Sequence, residues 1–144
     1  MSLAPASTLV WPLLAQVGWT FFLYAWLTLA RLRAVWRGEV DYGCFVLGRE
    51  EPREVARITR NLANQWELPA LFYALVVLLV ATNRVTTTDV VAAWAFFVGR
   101  VVHSVVQTLT DDVVLRGRVF MINCLAATVL VGHVALLALE GVGR

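Results

Sequence analysis

Four polar residues, Arg57, Arg60, Asn64 and Glu67, follow one another at intervals of three, four and three positions. That spacing lines side chains along a single face of an α-helix. Arg100, His103, Ser104 and Gln107 share one helical face in the same way further along the chain. A guanidinium is a planar fork that takes a carboxylate through two hydrogen bonds, so arginines in such a row suit an anionic ligand. Arg116 and Arg118, at the start of a later apolar stretch, add two more cations. A cation close to a thiol sulfur lowers its pKa and favours the reactive thiolate. The plainer reading of Arg116-Gly117-Arg118 is an anchor that snorkels to lipid headgroups.

The elements that hold these residues must cross a bilayer. Of 144 residues, 60% are hydrophobic and only 15% charged, with a mean hydropathy of +0.73. A water-facing domain of this size carries about a quarter charged residues, so lipid must cover much of the chain. Crossing the hydrocarbon core takes roughly 20 apolar residues. Four such stretches use up the whole length, which leaves one domain, 1–144, with spans at about 9–30, 55–81, 89–109 and 113–139. The expected fold is all-α, an integral membrane four-helix bundle. The segment Met1 to Ala30 has no basic n-region and carries its small residues ahead of the apolar run, so it reads as a span and not as a signal peptide. Pro69 removes one backbone hydrogen bond from the second span, which predicts a kink just beyond the polar stripe.

Charge sets an orientation and excludes some classes of function. A net charge of +2, with no basic run, argues against a nucleic-acid partner. All 12 basic residues are arginine; a GC-rich genome gives the same bias, so their positions carry the argument. The loop 31–54 holds Arg31, Arg33, Arg37, Arg49 and Arg53, and Arg116 and Arg118 follow the turn after the third span. The opposite side offers only Arg84 and Arg144. The positive-inside rule therefore puts the loop 31–54 in the cytoplasm and both termini outside. No metal-ligand spacing, Gly-rich phosphate loop or Ser/His/Asp arrangement is visible. Cys44 and Cys124 fall at different depths, which argues against a disulfide.

An ionisable group inside a span costs about 3 kcal/mol, so each one needs a reason. Arg100 lies eleven residues from both Asp89 and Asp111, roughly 16 Å from either end of the third span. Glu67 falls at a similar depth, and a Glu67–Arg100 ion pair is predicted, since a lone buried charge is far more expensive than a paired one. Such groups also act as glue between membrane helices, for about 0.6 to 2 kcal/mol each. Arg57, Arg60 and Asn64, near the entrance of the second span, exceed what packing requires and read as ligand donors. His103 is either a base or ligand or a hydrogen-bonded structural histidine; His133 reads as core polarity. The clusters gather in one half of spans two and three, which favours a one-sided pocket over a transport pathway.

Four segments resemble one family, MAPEG, the membrane-associated proteins in eicosanoid and glutathione metabolism, which includes microsomal glutathione transferases and the membrane prostaglandin E and leukotriene C synthases. Arg31-Leu32-Arg33 is similar to the family's basic exit from its first helix. Arg60-x-x-x-Asn64-x-x-Glu67 followed by Pro69 resembles its second-helix signature, and Val98-Gly99-Arg100-Val101-Val102-His103-Ser104 is similar to the third-helix segment of the prostaglandin-forming members. Arg116 falls where those enzymes place the arginine credited with activating the glutathione thiol. The likeness covers nearly the whole chain and is stronger to bacterial members and to the glutathione transferase and prostaglandin E synthase type.

The resemblance implies a homotrimer in a bacterial inner membrane, with glutathione as cofactor between neighbouring subunits. Arg31, Arg60, Asn64, Glu67, Arg100 and His103 would line that pocket, with Arg57 and Gln107 on the same stripes beside them. Arg31, Arg57 and Arg60 would clamp the glutathione carboxylates. Arg116 would stabilise the thiolate of a transferase or peroxidase, whose lipophilic small-molecule substrate enters from membrane lipid. Gln107 and Phe120 stand where the synthases carry tyrosines, and Gly117 replaces a hydroxyl residue. Those departures fit a second possibility, a family member that binds lipid or glutathione without chemistry of its own.

Overall fold

A computed structural model describes residues 2–46 and 49–142; Arg144 lies outside them. Among the described residues, four stretches are helical and long and apolar enough to cross a membrane: Ala6–Trp36, Arg53–Thr82, Thr87–Leu109 and Val113–Gly141. Five α-helices make them up, because the second stretch is broken in two: α1 (Ser7–Trp36), α2 (Arg53–Ala63), α3 (Leu68–Thr82), α4 (Thr87–Leu109) and α5 (Val113–Val142).

Local chemistry sets where each helix stops. Gly38 takes a positive φ of 70° after α1. That conformation lets the Glu39 and Gly38 N–H groups reach back to the carbonyls of Ala34 and Val35 at 3.1 and 2.9 Å, closing the helix and turning the chain into the loop. Asn83, with φ 52°, ends α3 in the same left-handed region. Thr86 and Asp89 then form a reciprocal capping box that starts α4. The Asp112 side chain accepts the Leu115 N–H at 2.8 Å and opens α5.

The bundle has two ends. The α1–α2 loop and the α4–α5 turn form the arginine-rich end. The N-terminal residues, the α3–α4 turn and the end of α5 form the termini end, where Leu3 and Thr86 pair as an antiparallel bridge. Two apolar clusters fill the interior. One, at the termini end, joins Leu9, Phe72, Val76, Leu79, Phe96 and Leu130, among others, with the Phe72 and Phe96 rings stacked 4.3 Å apart. The other, at the arginine-rich end, joins Leu23, Leu27, Ala34, Val55, Ile58 and Leu62 from α1 and α2. Exposed Trp11, Phe21, Leu71, Leu125 and Leu136 give the outside its apolar surface.

Candidate functional site

Between the two apolar clusters lies a buried polar belt. Gln16 and Thr20 supply it from α1, Asn61 and Gln65 from the second span, Arg100, His103, Ser104 and Gln107 from α4, and Asn123 from α5. Gln16 Nε2 donates to Gln65 Oε1 at 3.0 Å, and Trp19 Nε1 donates to Ser104 Oγ at 3.2 Å. Buried polar groups are normally paired. Here Gln16 Oε1, Asn61 Nδ2, Arg100 Nε, His103 Nδ1, Gln107 Nε2 and both polar atoms of Asn123 have no partner among the described residues. Asn123 also sets how closely α4 and α5 approach, since a Cβ on Gly99 would stand 2.6 Å from its Oδ1.

The second span breaks inside the polar stripe, not beyond it. A 3-10 turn occupies Asn64–Trp66, and Glu67 takes φ −90°, ψ −104° before α3 begins at Leu68. Pro69 explains the position: it has no N–H for the Gln65 carbonyl four residues back, and its ring collides with that carbonyl. In an unbroken helix the Asn64 carbonyl would accept from the Leu68 N–H. Here it accepts from Arg100 Nη2 at 3.0 Å. The predicted Glu67–Arg100 ion pair is therefore corrected. Arg100 is buried and serves a backbone oxygen freed by the break, while the Glu67 side chain is exposed. The Asn64 side chain donates from Nδ2 to Gln107 Oε1 at 2.9 Å, so the two stripes do meet.

At the arginine-rich end, a recess of about 280 Å³ opens between α2, α4 and the start of α5, lined by Arg57, Arg60, Gln107, Asp111 and Arg116, among others. Of the two arginines at the start of α5, Arg116 lines it and the exposed Arg118 does not. Arg60 and Arg116 have no ion-pair partner among the described residues. Arg57 and Arg53 both bond to Asp111 in the α4–α5 turn, Arg53 at 2.8 Å, and Arg57 reaches the Thr108 carbonyl at 3.3 Å as well. The hydrogen bond from Arg57, with the charges of both arginines behind it, holds the Asp111 carboxyl below the usual carboxylate range. On the far side of Arg53 and Arg57, a larger cavity of about 630 Å³ runs between α1, α2 and the end of α4, with Arg33 and Arg37 at its mouth and Trp26 and Ile58 deeper in.

The structure thus brings together Arg57, Arg60, Gln107 and Arg116, with the Asn64 side chain bonded to Gln107 and Arg100 bonded in turn to the Asn64 carbonyl behind them. Other residues singled out from the sequence lie elsewhere. Arg31 is engaged by Glu51 at 2.5 Å and Thr59 at 3.4 Å and sits over the Phe45 ring, tying α1 to the loop. His103 is buried with its ring 5.8 Å from that of Phe120. Glu67 stands at the break. Sequence reasoning passed over Asp111, whose signal was an acidic residue in a turn on the arginine-rich side. It also passed over Asn61 and Gln65, a polar pair four apart on a neighbouring helical face. His133 has a partner after all: its Nδ1 meets Asp89 Oδ2 at 2.8 Å.

The family model that matches is the MAPEG family, over residues 9–136. No curated protein and no solved structure matches the chain.

Proposed function

Because the chain belongs to the MAPEG family, we propose that it is a membrane-bound, glutathione-dependent transferase or peroxidase acting on lipophilic electrophiles. The observation that carries this reading is the convergence of Arg60, Arg116 and Gln107 on one recess, two cations without ion-pair partners and a buried amide nitrogen without an acceptor among the described residues. Such a wall fits a ligand with carboxylates and an ionised sulfur. Arg116 holds the thiolate, Arg60 takes a glutathione carboxylate, and Gln107 and Asn64 hydrogen-bond its amides. The thiolate then displaces the leaving group from an electrophilic carbon to give a thioether, or attacks a lipid hydroperoxide and breaks its O–O bond. The second route leaves the lipid alcohol and a glutathione sulfenic acid that a second glutathione converts to the disulfide and water. Placing a preorganised cation where charge collects is worth most in a water-poor site.

A single chain supplies only part of this site. Its recess of about 280 Å³ lies at the low edge of the ~300–1,000 Å³ usual for ligand pockets. Arg60 and Glu67 are also exposed on a membrane helix, with Glu67 roughly 20 Å of helix beyond Arg53. Charged groups at that depth need protein or water around them. Neighbouring copies in a homotrimer cover them, while Arg31 is held within its own chain by Glu51. The 144 residues act as one four-span unit in a bacterial inner membrane, arginine-rich end toward the cytoplasm and termini outside.

The test is Arg116→Ala in the detergent-purified protein. Conjugation of a chlorodinitrobenzene-type probe to glutathione should fall by about a hundredfold or more, with thermal unfolding unchanged. Unchanged turnover in that variant refutes the assignment of Arg116. One observation favours the non-catalytic alternative: Phe120, against His103, offers no hydroxyl to a sulfur. Ultraviolet absorbance separates the two, since the enzyme raises the thiolate band of bound glutathione and a pure binder leaves it flat.

A further inference from the structure

The α4–α5 turn holds one carboxylate between two guanidinium groups, and both guanidiniums line the recess where the ligand is placed. Arg53 donates to Asp111 Oδ2 and Arg57 to Asp111 Oδ1, so each oxygen is held by a different arginine. This is the arrangement that a ligand carboxylate entering the recess would need. We propose that Asp111 is a built-in substitute for a ligand carboxylate, occupying Arg53 and Arg57 in the empty protein and releasing them when the carboxylate of an anionic ligand arrives. The inference rests on the glutathione reading above and deepens it, because it names the residue that sets the threshold for binding.

Three observations support the exchange. First, the carboxylate is in water: the side chains of Asp111 and Arg53 are 69% and 76% exposed, and only Arg57, at 23%, is largely covered. Ion pairs that open to solvent contribute little and are readily traded. The Arg31–Glu51 pair is built differently, with Glu51 only 14% exposed, Thr59 donating to the same carboxylate and Phe45 under the guanidinium. That pair is a fixture and the Asp111 clasp is not. Second, the backbone on either side is already held. The Thr110 N–H bonds the Val106 carbonyl at 3.0 Å and Asp112 caps α5, so only the Asp111 side chain has to swing. Third, Arg57 keeps a second anchor on the Thr108 carbonyl at 3.3 Å, so it remains aimed at the recess once Asp111 has left.

Because Arg53 and Arg57 also line the larger cavity behind α2, the clasp forms part of the wall between the two spaces. A ligand carboxylate that reaches both arginines replaces Asp111 one for one, with no change in the number of ion pairs. A ligand without that carboxylate leaves the clasp closed and gains nothing from Arg57. Asp111 thereby weakens binding of the acid more than that of its ester, and narrows the preference that the two arginines would otherwise give the acid.

Calorimetric titration of the purified full chain with glutathione tests this. Asp111→Asn, which keeps the turn but removes the competing charge, should bind about three- to tenfold more tightly than the wild type. Asp111→Glu, which retains a carboxylate, should bind as the wild type does. Glu140→Gln removes the same charge at the termini end and should also match the wild type. Glutathione monoethyl ester, with its glycyl carboxylate blocked, should show a smaller gain with Asp111→Asn than glutathione does. Equal or weaker glutathione binding by Asp111→Asn overturns the proposal while leaving the glutathione reading intact. Binding by none of the four proteins overturns the glutathione reading and this inference with it.

Discussion

The two ends of this bundle treat polar groups in opposite ways. At the termini end, Asp89 is fully buried, yet one of its oxygens accepts from the Thr86 N–H at 2.7 Å, the Thr86 hydroxyl at 2.7 Å and His133 Nδ1 at 2.8 Å. Its other oxygen is the one buried side-chain atom there without a partner among the described residues. The first residues are stapled on top, with the Ala4 N–H on the Val85 carbonyl at 2.9 Å and the Thr87 N–H on the Ser2 carbonyl at 3.1 Å. Toward the arginine-rich end, polar atoms without a partner among the described residues accumulate, two recess arginines lack counter-ions among those residues, and one membrane helix is broken. The difference separates two uses of polarity. Groups satisfied within the chain hold the fold, whereas those left unsatisfied, at a cost to stability, are what a ligand can complete.

This contrast can be broken by experiment. The largest effect is expected for Asp89→Ala, which removes a helix cap and strips His133 of its partner. Chemical denaturation in detergent should show a loss of about 3 kcal/mol, with glutathione affinity unchanged in the folded protein. A loss below about 1 kcal/mol would erase the distinction between the ends. Gly99→Ala comes next, because the new methyl meets Asn123 Oδ1 at 2.6 Å; overpacking of this kind costs about 1–3 kcal/mol. Adding Asn123→Ala should recover most of that loss, and simple additivity of the two changes would show that the contact is not its cause.

Arg60→Gln should move unfolding by no more than about 0.5 kcal/mol, the range for surface changes away from structural contacts, while weakening glutathione binding. A clear loss of stability would make Arg60 part of the scaffold. The smallest effect concerns pH. The Asp111 carboxyl is held below its ordinary value by Arg57 and Arg53, so the clasp stabilises the fold above the unfolded-state carboxylate pKa of about 3.9. That contribution fades as pH falls through the depressed folded value. The melting temperatures of wild type and Asp111→Asn should therefore differ slightly at neutral pH and converge in acid. A gap that persists there would assign the difference to the turn and not to charge.

Much of the fold was legible because lipid imposes a strong rule: apolar stretches of sufficient length, with polar residues confined to faces that meet protein. Periodicity put Asn64 and Gln107 each on a polar face, and tertiary packing then joins those faces. The Glu67–Arg100 pairing failed for a reason that helical spacing cannot express. It assumes an intact backbone, whereas the break ahead of Pro69 frees the Asn64 carbonyl, and that oxygen captures Arg100. The choice between Arg116 and Arg118 also needed coordinates, since each is two residues from the other and either could have faced inward. Asp111 and the Asp89–His133 pair were hidden for a different reason. Their partners lie 54 and 44 residues away in the chain, and only tertiary packing brings them together.

The divided second span bears on how the chain sits in its bilayer. The regular apolar part, α3, has 15 residues, roughly 22 Å of helix against a hydrocarbon thickness of about 30 Å. The rest of the crossing falls to the 3-10 turn and to α2, with Arg53, Glu54, Arg57 and Arg60 on it. The stretch as a whole is apolar enough to enter lipid, but the charges of α2 must come to rest against protein, water or the edge of the hydrocarbon. Arg57 is held only once α4 is in place to bond it, while Arg53 and Arg60 stay exposed on the single chain, so the final depth of this span is set jointly by several helices and not by its own sequence.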